Sequence, residues 1–218
     1  MNNTNIKIIC IRHGEATGNV AFYQSFEKNN HILFTKKFCK IHSSKWKLTS
    51  NGINQSKEVG KKIKKIKINT FYTSDYVRTK QTAKLLGVSK IIHCSKLLRE
   101  RNRGITECLS KPKYLSIMKL YKTSLIENSI NWKPPKGESA RDILIRIKLF
   151  FKKIKKKENT TVLIVTHEDF IQCLRFALRN KKISDNNYKK WLKHRGKIKF
   201  GQILSLNIIN GKLFEEKI

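Results

Sequence analysis

One repeated juxtaposition constrains the fold of this chain more than any other feature. Short runs rich in β-branched apolar residues stop abruptly at groups that do chemistry. Residues 6–11 lead into Arg12-His13-Gly14-Glu15, residues 71–73 into Ser74-Asp75 and then Arg78, and residues 161–166 into His167-Glu168. Further runs of this kind lie at 90–93 and 204–209. Short apolar runs bounded by polar punctuation read as buried strands. Between them, apolar residues recur every three to four positions over 53–66, more weakly over 78–86, most clearly over 140–154, and again over 170–178. That spacing predicts amphipathic helices. Strands alternating with helices predict an α/β fold, a three-layer α/β/α sandwich around a mostly parallel central sheet. A chain of 218 residues is expected to make one domain, 1–218, with a small helical cap. Two segments break the pattern: 26–46 reads as an irregular insert, and 108–132 as a helical segment that folds over the strand ends as a lid.

In parallel sheets, ligands bind beyond the carboxyl ends of the strands. The three runs that end in functional groups therefore point to one edge. Arg12 and His13 stand beside Gly14, which lets the backbone turn sharply against a bound group. Arg78 falls in the first turns of a helix, where free N–H groups and the macrodipole favour anions. His167 ends the most apolar strand, and Glu100 is a carboxylate in a basic loop, LLRERNRGITE. Each has a bland explanation alone, as a basic turn or a capping histidine. Two arginines and two histidines on one edge suit a phosphate dianion.

The formal net charge of +33 raises nucleic acid as a partner. Lysine supplies most of it and is spread along the chain, often alternating with Ile, as on solvated helix faces. No RNA-binding signature accompanies it, so the expected partner is a small phosphorylated substrate, not nucleic acid. The five cysteines, Cys10, Cys39, Cys94, Cys108 and Cys173, show no CxxC spacing, which fits free thiols in a reducing compartment. No apolar run approaches the roughly 18 residues of a membrane span, and the segment MNNTNIKIIC has no signal-like apolar core. A cytoplasmic protein without membrane contact is expected, and a homodimer stays open.

Six stretches in order resemble the histidine phosphatase superfamily in its phosphoglycerate mutase-like branch. RHGEATGN resembles the RHG signature with its downstream Asn, and LTSNGINQSKEVGKKI the LTxxGxxQAxxLG helix. TSDYVRTKQTA is similar to SxxxRAxQTA, LRERNRGITE to LxExxxGxxEG, and PPKGESARDILIRI to the PxGES…R segment. VLIVTHED stands where the second histidine motif belongs. The resemblance runs from residue 7 to about residue 178. It implies that His13 attacks phosphorus and becomes a phosphohistidine, which water then cleaves. Arg12, Arg78 and His167 hold the phosphoryl oxygens, and Asn19 adds a neutral hydrogen bond. Neighbouring cations keep His13 unprotonated. No metal or cofactor is implied, because arginines and histidines carry the charge.

The proton donor to the leaving group is left between two residues. The resemblance assigns it to Glu100. Glu168, however, stands where this branch carries Gly, and the acid phosphatase branch carries its acid at that place as His-Asp. Glu15 belongs to the first motif and in mutases lies beside the substrate, or else it is a turn carboxylate. Lys45-Trp46-Lys47 replaces a more acidic, proline-bearing approach to the second motif. Glu138 and Ser139 are expected to cap the helix at 140, with Ser139 as N-cap. Lys193, His194 and Arg195 read as surface charge. The expected activity is metal-independent phosphomonoester hydrolysis on small metabolites. The alternatives are a mutase that needs 2,3-bisphosphoglycerate, and a catalytically silent phosphate- or polyanion-binding module. The glycolytic-mutase elements GWxD, GLNK, YPxES and AHGNSLR are missing as written.

Overall fold

A computed structural model describes residues 5–121, 128–154, 160–180, 182–209 and 212–216. In chain order the elements are β1 (Asn5–Arg12), α1 (Thr17–Phe26), α2 (Lys36–Cys39), α3 (Ser50–Ile63), β2 (Thr70–Ser74) and α4 (Val77–Leu85). Then follow β3 (Ile92–Ser95), α5 (Lys111–Leu120), α6 (Ala140–Lys153), β4 (Thr160–Thr166), α7 (Glu168–Arg179), α8 (Asp185–His194), β5 (Ile203–Ile209) and β6 (Lys212–Glu216). The strands form one sheet in the order β3-β2-β4-β1-β5-β6. The pairings among β3, β2, β4 and β1 are parallel, whereas β5 pairs antiparallel with both β1 and β6.

Strand periodicity divides the core into two layers. Ile8, Cys10, Val162, Ile164, Leu204 and Leu206 point to one face, where they meet Ile143, Ile147 and Phe150 of α6, Phe170 and Phe176 of α7, and Tyr188 of α8. Ile9, Ile11, Leu163, Val165 and Phe71 point to the other, against Val59 and Ile63 of α3 and Ala83 of α4. Because both faces are covered, the central strands read as nearly unbroken apolar runs. The three-layer sandwich is the architecture the sequence pattern predicts. Ser139 caps α6: its Oγ accepts from the Asp142 N–H at 3.1 Å, and the Asp142 carboxylate accepts from the Ser139 N–H at 2.9 Å.

Two local expectations, the place of β3 and the role of Glu138, need correction. β3 lies two residues later than 90–93, because its short exposed edge carries little apolar pattern. Segment 26–46 holds only short elements. It folds through α2 and a 3₁₀ turn at Ser43–Lys45 into an aromatic cluster. Phe38 stacks on Trp46 with ring centroids 5.7 Å apart, and Phe22, Phe34 and Cys108 complete the cluster. Glu138 does not cap α6 but pairs with Arg146 at 2.8 Å. Within 108–132, α5 docks on α1, with Phe26 and Tyr114 rings 5.6 Å apart. Part of that lid, 122–127, lies outside the described residues. No helix of the described residues is long and apolar enough to cross a membrane.

Candidate active site

Strand register brings the two histidines together. β1 and β4 are neighbours, with Arg12 opposite Thr166, so the next residue on each is a histidine. The His13 N–H extends the ladder by one bond to the Thr166 carbonyl, at 3.0 Å. The ring centroids of His13 and His167 are 5.1 Å apart, and both side chains are fully buried. The turn after His13 depends on glycine. A Cβ on Gly14 would lie 2.3 Å from the Gly52 carbonyl oxygen, and one on Gly52 would lie 2.0 Å from that of Glu15. Bare backbone on both sides seats the first turn against the start of α3.

Arg78 links the two rings. Its Nε–H donates to His13 Nε2 at 3.0 Å, and Nη2 donates to His167 Nδ1 at 3.2 Å. A guanidinium only donates, so both of those ring nitrogens carry lone pairs. The tautomers follow: His13 Nδ1–H donates to the Gly14 carbonyl at 2.7 Å, and His167 Nε2–H to Ser74 Oγ at 3.0 Å. Arg78 itself is buried, with Nη1 donating to the Ser43 carbonyl at 2.7 Å. Tyr76 packs edge-on against His167, and the guanidinium lies 4.9 Å from the Tyr76 ring centroid. Burial first, then the Arg78 and Arg12 charges, hold His13 well below the ordinary histidine range. Burial and Arg78 do the same to His167. Both imidazoles are therefore neutral at pH 7.

Arg12 is held from the other side. It makes a 2.8 Å ion pair with Glu168, also donates to the Ile198 carbonyl, and lies 4.0 Å over the Phe200 ring. Glu168 Oε1 in turn accepts from the Ile198 N–H at 3.3 Å. Glu168 is thus an acceptor committed to Arg12 and to the loop before β5.

Glu100 sits at the edge of the cluster on a loop held by Arg146, which donates to the carbonyls of Leu97 and Arg99 at 2.8 and 3.0 Å. Its Oε1 accepts from the backbone N–H groups of Arg101 and Asp169, at 3.0 and 3.1 Å. Burial pushes the Glu100 carboxyl up to about 7, and the Asp169 charge adds to this against Arg78 and Arg103. Glu15 turns to α3, accepting from Thr49 Oγ1 at 2.7 Å. Asn19 Oδ1 accepts from the Ala16 N–H at 3.0 Å, at the start of α1.

Residues 8–193 match the family model described as histidine phosphatase superfamily (branch 1). The chain belongs to the histidine phosphatase superfamily. Among curated relatives, a protein of Photorhabdus laumondii named "Probable phosphoglycerate mutase GpmB" is 23% identical over 207 residues, covering 86% of this chain and 88% of the relative. An alpha-ribazole phosphatase from Shigella flexneri superposes with a TM-score of 0.76 at 17% identity, covering 97% of this chain and 95% of that one. A phosphoserine phosphatase from Entamoeba histolytica, solved with 3-phosphoglyceric acid, superposes with a TM-score of 0.72 at 22% identity, covering 97% and 95%. Such distant likenesses carry the fold.

In this histidine phosphatase fold, the structure gathers Arg12, His13, Arg78 and His167 into one connected cluster, with Glu100 beside it and Glu168 bound to Arg12. Glu15 and Asn19 hold the first turn to α3 and α1. Sequence reasoning missed the Ser43 carbonyl, Ser74, Phe200 and the pair Asp169–Arg103. Ser43 and Phe200 lie in segments with no motif. Asp169 was in view in the sequence, directly after Glu168, and the signal was a second carboxylate beside the histidine.

Proposed function

We propose that this protein is a phosphomonoesterase that works through a phosphohistidine. His13 Nε2 attacks phosphorus with its lone pair, and the bond to the ester oxygen breaks. The incoming dianion is a stronger acceptor than imidazole, so Arg78 exchanges its ring contacts for phosphoryl oxygens and uncovers Nε2. Arg12, Arg78 and the His167 edge then stabilise the charge that builds on those oxygens. Glu100 gives its proton to the leaving alkoxide, then removes a proton from the water that cleaves the phosphohistidine. No step calls on a metal. Glu168 does not compete for the donor role in this reading, since Arg12 and the Ile198 N–H engage its two oxygens.

The observation that carries the proposal is the fixed tautomer of His13: Nδ1 keeps its proton on Gly14, and Nε2 presents its lone pair towards Arg78. Small phosphorylated metabolites are the proposed substrates. The five free cysteines support a reducing, cytoplasmic setting. The mutase named in the Photorhabdus relative would use the same histidine. Purified protein is expected to hydrolyse p-nitrophenyl phosphate in EDTA, and His13→Ala to lose that turnover. Conversion of 3-phosphoglycerate that depends on 2,3-bisphosphoglycerate and outpaces hydrolysis would assign a mutase instead. Full turnover by His13→Ala would remove the mechanism.

A further inference from the structure

The proposed reaction leaves unexplained why a carboxyl group among so many arginines should hold a proton. The groups that face Glu100 are Arg78 on α4, Tyr76 just before it, Arg12 at the end of β1, Arg103 and the Arg101 backbone N–H on its own loop, and Asp169 and Cys173 on α7. The cations among them favour a carboxylate. Asp169 opposes them, and its backbone N–H is bonded directly to Glu100.

Two carboxyls in one desolvated patch cannot both ionise cheaply, so one takes the proton. The surroundings decide which. Asp169 is paired with Arg103 at 2.8 Å and lies 3.9 Å from Arg195. It also stands in the first turn of α7, where the helix dipole favours negative charge. Burial works to raise Asp169, but Arg103, Arg101, Arg195 and Arg12 outweigh it and keep Asp169 ionised. Glu100 has no ion pair among the described residues. Both of its hydrogen bonds fall on Oε1, which leaves Oε2 to carry a proton.

We propose that Asp169 is a positioning residue for the general acid: a fixed negative charge, clamped by Arg103 and Arg195, that keeps the proton on Glu100 until the leaving group takes it. Arg195, expected to be plain surface charge, thereby serves the site at one remove. Asp169 touches no reacting atom, so its effect should appear in the pH profile and in leaving-group sensitivity. The inference rests on Glu100 being the donor.

The test is the pH dependence of kcat/KM on glycerol 2-phosphate, a poor leaving group, and on p-nitrophenyl phosphate, a good one. Wild-type activity on glycerol 2-phosphate should fall as pH rises through about 7, when Glu100 loses its proton. Asp169→Asn removes the opposing charge, which lowers the Glu100 pKa. The falling limb should then move to lower pH by at least about half a unit. Turnover of glycerol 2-phosphate at pH 7 should drop more than that of p-nitrophenyl phosphate. Asp169→Glu restores the charge and should return the limb towards wild type, and Asp169→Ser serves as the neutral variant if Asn does not fold. The substrate's own ionisation is common to all variants and cancels in the comparison. A limb that stays put in a folded neutral variant overturns the role of Asp169. If Glu100→Gln keeps both the limb and the leaving-group pattern, the donor assignment itself falls, which is a distinguishable outcome.

Discussion

At the scale of single residues, the site is organised by one guanidinium. Arg78 reaches both histidines and a backbone carbonyl with three separate nitrogens. Lysine offers one point charge on a flexible stem and cannot span those positions. Arg78→Lys is therefore expected to lower kcat by roughly 100- to 1,000-fold, with a smaller change in stability, measurable by steady-state kinetics and thermal melting together. Equal losses in activity and folded fraction would make Arg78 structural. The low pKa of His13 works in the same direction, because the nucleophile must be unprotonated to attack. The acid limb of activity belongs below the ordinary histidine range, since burial and two arginines hold the ring neutral.

At the scale of elements, most of what positions the site was legible in the sequence, and the reason is periodicity. The β1 and β4 runs are apolar on both faces, so they had to be central strands. Central parallel strands deliver whatever follows them to one edge. That logic places Arg12, His13 and His167 together from the sequence alone. Short or exposed elements were not legible in this way. β3 is four residues long with two exposed side chains. β6 went unnoticed, although Asn210-Gly211 before it is a favoured hairpin dipeptide. Segment 26–46 looked patternless because its aromatic cluster is closed by tertiary approach, with Trp46 on Phe38 and Cys108 arriving from over sixty residues away. Its Ser43 carbonyl nonetheless fixes Arg78. Contacts of that kind depend on tertiary approach and leave no local signature. The carboxylate pair at Glu100 and Asp169 was hidden for the same reason, as 69 positions separate the two residues.

At the scale of the whole molecule, arginine and lysine do different work. Arginines make most of the ion pairs among the described residues, and several of these surround the site. The lysine pairs Lys61–Glu58 and Lys197–Glu27 both lie on the surface. The excess of +33 therefore lies mainly in solvated side chains that repel one another. Sodium chloride should raise the melting temperature as it screens that repulsion, by about 2–4 °C for each kcal/mol relieved. Inorganic phosphate at matched ionic strength should raise it further through binding; equal shifts would mean that the fold offers no phosphate site. The charge also draws phosphorylated metabolites toward an edge where two neutral imidazoles and two arginines converge. What happens there is best tested by mass spectrometry on enzyme quenched in alkali within one turnover of a phosphomonoester. The expected result is one phosphate on His13, stable in base and lost in acid. An acid-stable phosphate on serine, or turnover with no covalent phosphate on His13, would contradict the account.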